Sequence, residues 1–153
     1  MVVWDNCDQI DDWVVHSSQS PPYTGENKIE VDTVDKLEGS ASLKMIFAAT
    51  DPNWGGYFKK EGQWDFRENP ILRIRIKAFS TPPEKLTFAF RCPGTWSAYD
   101  LASKITTLNE WLIIDLDLRQ PEQGEQFPDL SNVVWVEFSC WQLIQEPFPF
   151  NIG

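Results

Sequence analysis

The feature that most constrains the fold is an alternation of apolar and charged residues with a period of two. The clearest case spans residues 71–79, where apolar side chains alternate with Arg73, Arg75 and Lys77. Because successive side chains of a strand point to opposite faces, this pattern predicts a strand with one buried and one solvated face. On a helix the same apolar residues would be spread around the axis.

Four further segments show the same period: residues 43–47, 86–92, 112–118 and 133–141. Eleven prolines and eight glycines are spread between such segments, as expected for turns. We count about ten strands and no convincing helix. The sequence therefore predicts an all-β protein, an antiparallel two-sheet β-sandwich or jelly roll, with residues 1–153 as a single domain.

The negative net charge of the chain limits the classes of partner that it can bind. The 153 residues include 23 acidic and 13 Lys or Arg side chains, a formal net charge of -10, and the longest basic run is Lys59-Lys60. Such a chain repels phosphate backbones and anionic lipids, so neither nucleic acid nor a membrane is an expected partner. No run reaches the roughly 18 apolar residues of a membrane span.

Catalytic motifs are missing from the sequence. The one histidine, His16, has no Gly-x-Ser-x-Gly nucleophile elbow to serve, and Cys7, Cys92 and Cys140 lack the spacing of a zinc site. We therefore expect no enzyme activity. A small polysaccharide lyase or hydrolase is the less favoured alternative, since a tyrosine beside an arginine can act as a base.

Three segments near the N-terminus are an acidic run (5–8), Asp12-Trp13, and a Gly-x-x-Ser-Leu-Lys strand (39–44). They are followed in order by segments 64–66, 72–77, 111–116 and 129–133. This succession resembles the β-jelly-roll carbohydrate-binding modules and covers nearly the whole chain. The resemblance implies a polysaccharide-binding domain attached to a larger glycan-degrading enzyme, secreted or on the cell surface, of bacterial type.

The resemblance also implies a structural calcium ion between the first and last strands. Asp5, Asp8 and Asn151, with backbone carbonyls, would be its ligands, since calcium takes six to eight oxygens. The sequence departs from the family pattern in having Cys7 where an aromatic residue is common and Asn151 where an aspartate is common. The alternative is that Asp5 and Asp8 are ordinary exposed acids.

The jelly-roll strand order implied by the resemblance places segments 54–60, 86–92, 97–101 and 133–141 in one sheet. Parity then turns Val134, Val136, Phe138 and Cys140 inward, and Val133, Trp135 and Trp141 outward. Trp4, Trp13, Trp64 and Trp111 are interpreted as structural and Lys59 as a solvated lysine. The predicted carbohydrate-binding residues are Trp54, Tyr57, Arg91, Trp96, Tyr99, Trp135, Glu137 and Trp141.

A sugar ring has an apolar C–H face, which aromatic rings cover, and hydroxyls, which polar side chains hydrogen-bond. The acidic chain favours a neutral plant-type β-glycan, bound at micromolar to millimolar concentration, roughly -8 to -4 kcal/mol. Arg91 and Glu137 have the alternative of a simple surface ion pair. The alternative function is a protein-interaction β-sandwich, which would show one contiguous apolar patch in place of rings separated by polar groups.

Overall fold

The computed structural model describes residues 3–18, 25–48, 53–142 and 144–153. Those residues form strands and one three-residue 3₁₀ helix, Ala102–Lys104. The strands are β1 (Trp13–His16), β2 (Lys28–Asp32), β3 (Ser42–Phe47), β4 (Gly56–Trp64), β5 (Ile71–Ala78), β6 (Leu86–Cys92), β7 (Thr95–Asp100), β8 (Leu112–Asp117), β9 (Gln123–Gly124), β10 (Val133–Cys140) and β11 (Phe148–Ile152). No helix in the described ranges is long and apolar enough to cross a membrane.

The strands form two antiparallel sheets. Sheet A has the order β1-β4-β10-β6-β7-β9, and sheet B has the order β2-β3-β11-β5-β8. The predicted antiparallel two-sheet β-sandwich is confirmed. The four segments that the resemblance assigned to one sheet do lie together, as β4, β6, β7 and β10 of sheet A.

Phenylalanine rings from both sheets form the centre of the core. Phe58 of sheet A contacts Phe47 and Phe150 of sheet B, with ring centroids 4.8 and 6.4 Å apart. Phe138 of β10 also packs on Phe150, at 5.6 Å. Burial of these large rings supplies the main apolar stabilisation, and it fixes which face of sheet A is turned to solvent.

Strand β5 follows the predicted alternation. Ile74, Ile76 and Ala78 are buried, whereas the Arg73 guanidinium on the outer side forms two hydrogen bonds to the Asp115 carboxylate of β8, at 2.8 and 2.9 Å. This cross-strand pair is exposed and contributes little to stability.

The start of β10 differs from the prediction. The register against β4 shifts between Val133 and Trp135, so that Val133 is fully buried and Val134 is only half-buried. Three residues of β10 (133–135) lie opposite four of β4 (61–64), so the extra residue of this bulge lies in β4, and the alternation of β10 is broken beside it. The predicted orientations of Val133 and Val134 are therefore wrong, while those of Val136, Phe138 and Cys140, which are all buried, are correct.

Candidate functional site

Four aromatic rings form a continuous stack at one end of the outer face of sheet A. Trp141 stacks on Trp54 with centroids 5.5 Å apart, Trp54 stacks on His16 at 5.0 Å, and His16 stacks on Tyr57 at 5.0 Å. We call these four residues the aromatic column. Trp141 is the most open of the four rings, with 39% of its surface exposed.

Strand register accounts for the middle of the aromatic column. His16 of β1 lies opposite Tyr57 of β4, and Tyr57 in turn lies opposite Ser139 of β10, so all three share the outer face. Gly56 allows the close approach of β1: its φ is +95°, and a Cβ there would lie 2.2 Å from the His16 carbonyl oxygen.

A long-range backbone hydrogen bond accounts for the end of the aromatic column. The Gly55 N–H donates to the Cys140 carbonyl at 2.7 Å. Trp54 and Trp141 are the chain neighbours of these two residues, so this bond brings both indoles to the same place. Parity within a strand does not predict this contact, because both tryptophans lie just outside their strands.

Trp135 lies beside the aromatic column and is covered by two cations. Its ring contacts Tyr57 edge-on at 5.7 Å. Lys59 Nζ lies 3.6 Å from the ring centroid and the Arg91 guanidinium carbon 4.7 Å from it. Because β10 lies between β4 and β6, the two cations approach from opposite sides of the strand. The ring is therefore held in place by cation–π contacts and is not an open platform.

Glu137 is a buried carboxylate beneath these side chains, with 1% of its surface exposed. Its Oε2 accepts a hydrogen bond from Trp135 Nε1 at 3.3 Å, and its Oε1 lies 3.9 Å from Arg91 Nη2. Burial raises the pKa of the Glu137 carboxyl, and the nearby Arg91 charge and the Trp135 N–H act in the opposite direction. The surface ion pair considered as the alternative for Arg91 and Glu137 is thus a pair with one buried partner.

Trp96 of β7 lies opposite Arg91 and extends the polar part of the face. It packs against Gly124 of β9, where φ is +80° and a Cβ would lie 2.7 Å from the indole ring. Within the described ranges, the buried atoms Arg91 Nε and Ser139 Oγ lack a hydrogen-bond partner here, as does Trp54 Nε1 of the aromatic column. The Trp96 indole lies close enough to Glu137 to help lower the pKa of that carboxyl. Buried polar atoms without a partner are costly to stability.

The predicted role of Tyr99 is contradicted by its position. Tyr99 is 3% exposed, stacks on Phe90 in the core at 6.5 Å, and donates its hydroxyl hydrogen bond to the Asp117 carbonyl. Burial raises its pKa above the ordinary value. Tyr99 stands three positions from Trp96 on β7, and this odd separation turns the two side chains to opposite faces.

Each of the three predicted calcium ligands already has a hydrogen-bond partner within the protein. Asp5 Oδ2 accepts hydrogen bonds from Lys60 Nζ at 2.8 Å and Trp13 Nε1 at 3.2 Å, so an ammonium already neutralises it. Asp8 accepts the Ala41 N–H at 3.0 Å.

Asn151 is instead fully buried in sheet B, and its amide donates to Asp32 Oδ2, the Asp35 carbonyl and Ser42 Oγ. In the part of the chain that is described, no three His, Cys, Asp or Glu side chains form a group suited to a metal. Calcium binding stays a prediction, and this geometry does not favour these three residues as joint ligands.

The sequence analysis missed two residues of the face. His16 was considered only as a catalytic group. It lies three positions from the core residue Trp13 on the same strand, and this odd separation places His16 on the outer face. Lys59 was interpreted as a solvated lysine, but 13% of its side chain is exposed because it lies over Trp135. Its position two residues from Tyr57 on one strand was the signal for a shared face.

The comparisons with known proteins agree on the fold. No family model matches the chain, and no curated protein matches its sequence. The family 30 carbohydrate-binding module of the cellulosomal cellulase Cel9D-Cel44B of Clostridium thermocellum superposes with a TM-score of 0.62. It has 17% identity and covers 92% of this chain and 94% of the module. The fold is that of a β-sandwich carbohydrate-binding module.

A second such module shows the same fold with a ligand. The family 11 carbohydrate-binding module of Clostridium thermocellum, in complex with a β-1,3-1,4-mixed-linked tetrasaccharide, has a TM-score of 0.64 and 12% identity, over 97% of this chain and 91% of that one. The agarase AgWH50C matches 99% of this chain with 23% of its own length, at a TM-score of 0.67 and 10% identity. The module fold therefore occurs both in isolated modules and within a larger glycan-degrading enzyme.

Proposed function

We propose that this protein is a non-catalytic carbohydrate-binding module that binds a neutral β-glycan on the outer face of sheet A. The observation that carries the proposal is the aromatic column, which ends in the exposed Trp141 ring and adjoins the polar groups of Arg91, Trp96 and Glu137. Aromatic faces suit the C–H surface of a pyranose, and the polar groups suit its hydroxyls.

The arrangement of rings favours a sugar over a protein partner. A protein-docking surface has a contiguous apolar centre. The rings of the aromatic column do touch one another, but the patch is bordered by charge: Lys59 and Arg91 lie against the neighbouring Trp135 ring, Glu137 lies beneath it, and Arg91 separates Trp135 from Trp96. Apolar rings and charged groups are therefore neighbours on this face, as the recognition of a sugar ring and its hydroxyls requires.

In this proposal the domain holds an appended glycan-degrading enzyme near its polymer, outside the cell. Tethering raises the effective concentration of the enzyme at the polymer without chemistry of its own. Support comes from similar modules in a cellulosomal cellulase and from a matching part of an agarase. The acidic chain favours uncharged polysaccharides.

Affinity electrophoresis tests this function. Gels cast with mixed-linkage β-1,3-1,4-glucan, hydroxyethylcellulose, agarose or polygalacturonate are compared with a gel without polysaccharide. We expect at least one neutral glycan to retard the protein and polygalacturonate to leave it unretarded. Retardation by polygalacturonate alone would overturn the neutral-glycan assignment, and no retardation by any glycan would overturn binding.

A further inference from the structure

A large cavity lies away from the aromatic column, between the N-terminal segment and the start of β5. Its volume is about 960 Å³, and its lining includes Trp4, Trp64, Phe66 and Ile71. None of the four residues of the aromatic column lines it. This volume falls at the upper end of the usual range for small-molecule sites, roughly 300–1,000 Å³.

Three aromatic rings give the cavity a fixed apolar wall. Trp4 meets Trp64 edge-on with centroids 5.1 Å apart, and Trp64 stacks on Phe66 at 6.3 Å. Gly62 positions this group, since a Cβ there would lie 2.3 Å from the Trp64 ring, and the indole can lie against the strand only because that side chain is absent. None of the three residues is fully buried.

The polar part of the lining is acidic and already internally paired. Arg73 forms two hydrogen bonds with Asp115, and Arg75 forms an ion pair with Glu38. Six carboxylates and two guanidinium groups line the cavity: Asp5, Asp8, Glu38, Asp65, Glu68, Asp115, Arg73 and Arg75. Lys60 and Arg67 neutralise Asp5 and Asp65, so the net excess near the cavity is two negative charges, six carboxylates against four cations. This excess still opposes an anionic ligand, and the paired groups offer donors and acceptors to hydroxyls.

We propose that this cavity is a second saccharide site, which takes a short neutral oligosaccharide against the Trp4, Trp64 and Phe66 rings. The assignment of the ligand class rests on the proposed function, but the location does not, since the two sites share no residue. Trp4 and Trp64, which the sequence analysis interpreted as structural, would then both pack and bind. A protein with both sites would hold two saccharide segments at once.

NMR of the tryptophan indole N–H groups tests this, with the β-1,3-1,4-mixed-linked tetrasaccharide as the probe. The signals are assigned by single Trp→Phe variants. The blocking variant is Ile71→Arg, which puts a long charged side chain at a half-exposed position of the cavity lining. Its matched control is Leu108→Arg, at a similarly exposed apolar residue that lines neither site.

We expect two groups of shifts, one at Trp54 and Trp141 and one at Trp4 and Trp64. Ile71→Arg should weaken the affinity measured from the Trp4 and Trp64 shifts at least tenfold and leave the affinity measured from the Trp54 and Trp141 shifts unchanged. Leu108→Arg should change neither affinity. Shifts confined to Trp54 and Trp141 would overturn the second site and leave the proposed function standing. Shifts confined to Trp4 and Trp64 would support the second site and count against the aromatic column. No shift at any indole would contradict both.

Discussion

Lys59 Nζ lies 3.6 Å from the centroid of the Trp135 ring, closer than any other cation lies to an aromatic ring in the described residues. With Arg91 on the other side, the indole is fixed in place, and its N–H is used by Glu137. The outer face of sheet A thus has two parts. The aromatic column is open at Trp141, and the Trp135 group is closed and internally paired.

This division predicts different effects for two tryptophan substitutions. Trp135→Ala removes the hydrogen bond to a buried carboxylate, and we expect it to lower the free energy of unfolding by about 1–3 kcal/mol, or a few degrees in Tm. Trp141→Ala should cost less stability than Trp135→Ala, because 39% of Trp141 is already exposed. Urea unfolding of both variants checks the order, and equal losses would contradict the two-part description.

Glu137 predicts a pH-dependent stability difference. Burial raises the pKa of its carboxyl above the ordinary value of 4.5. At pH values below 4.5 the carboxyl is neutral in both the folded and the unfolded state, so its burial does not lower the free energy of unfolding. As pH rises toward the raised pKa, the unfolded chain ionises first, so stability falls.

Glu137→Gln keeps the size of the side chain and its acceptor for Trp135. We therefore expect this variant to unfold like the parent near pH 4 and to be more stable than the parent at pH 7. Urea titrations at both pH values measure the difference. A variant that is less stable at pH 7 would show that the Arg91 pairing outweighs burial.

Tyr99 predicts a purely structural phenotype. Tyr99→Phe removes the hydroxyl that donates to Asp117 and should cost about 1 kcal/mol of stability. Retardation on glycan gels should not change, because the ring lies in the core. Loss of retardation by a fully folded variant would place Tyr99 back in the binding site.

The arrangement around Asp5 predicts an outcome for metal removal. Since Lys60 neutralises Asp5, we expect Asp5, Asp8 and Asn151 not to hold calcium jointly, so that Tm is the same in EDTA and in millimolar calcium unless other ligands bind the ion. A Tm that falls in EDTA and recovers with calcium, but not with magnesium, would show a bound calcium ion and would require other ligands than these three together.

Local alternation accounts for much of what the sequence predicts correctly. It places β5 in the sandwich, turns Phe138 inward and exposes Trp135, because each of these depends on neighbours two residues away. The same rule could have placed Tyr99 and Trp96 on opposite faces of β7, but both were predicted to bind carbohydrate. The bulge before Trp135 was not predicted, because its extra residue lies in the partner strand β4, between Glu61 and Trp64.

Contacts between distant segments account for the rest. The stack of Trp54 on Trp141 depends on the bond from Gly55 to Cys140, which joins residues far apart in sequence. The position of Lys59 over Trp135 depends on the register of β4 against β10. Neither contact follows from alternation within one strand. The two-residue spacing of Lys59 from Tyr57 did signal a shared face, but the predicted site included neither Lys59 nor His16.

The most direct test of the central claim is calorimetric titration of three variants with the glycan that retards the protein most. Trp141→Ala and Trp54→Ala each remove a ring of the aromatic column. Phe127→Ala removes a ring that is 90% exposed and that stacks with no other ring among the described residues. We expect each tryptophan variant to bind at least about fivefold more weakly, roughly 1 kcal/mol per ring, with Phe127→Ala unchanged. Affinities equal to the parent in both tryptophan variants would contradict glycan binding by the aromatic column.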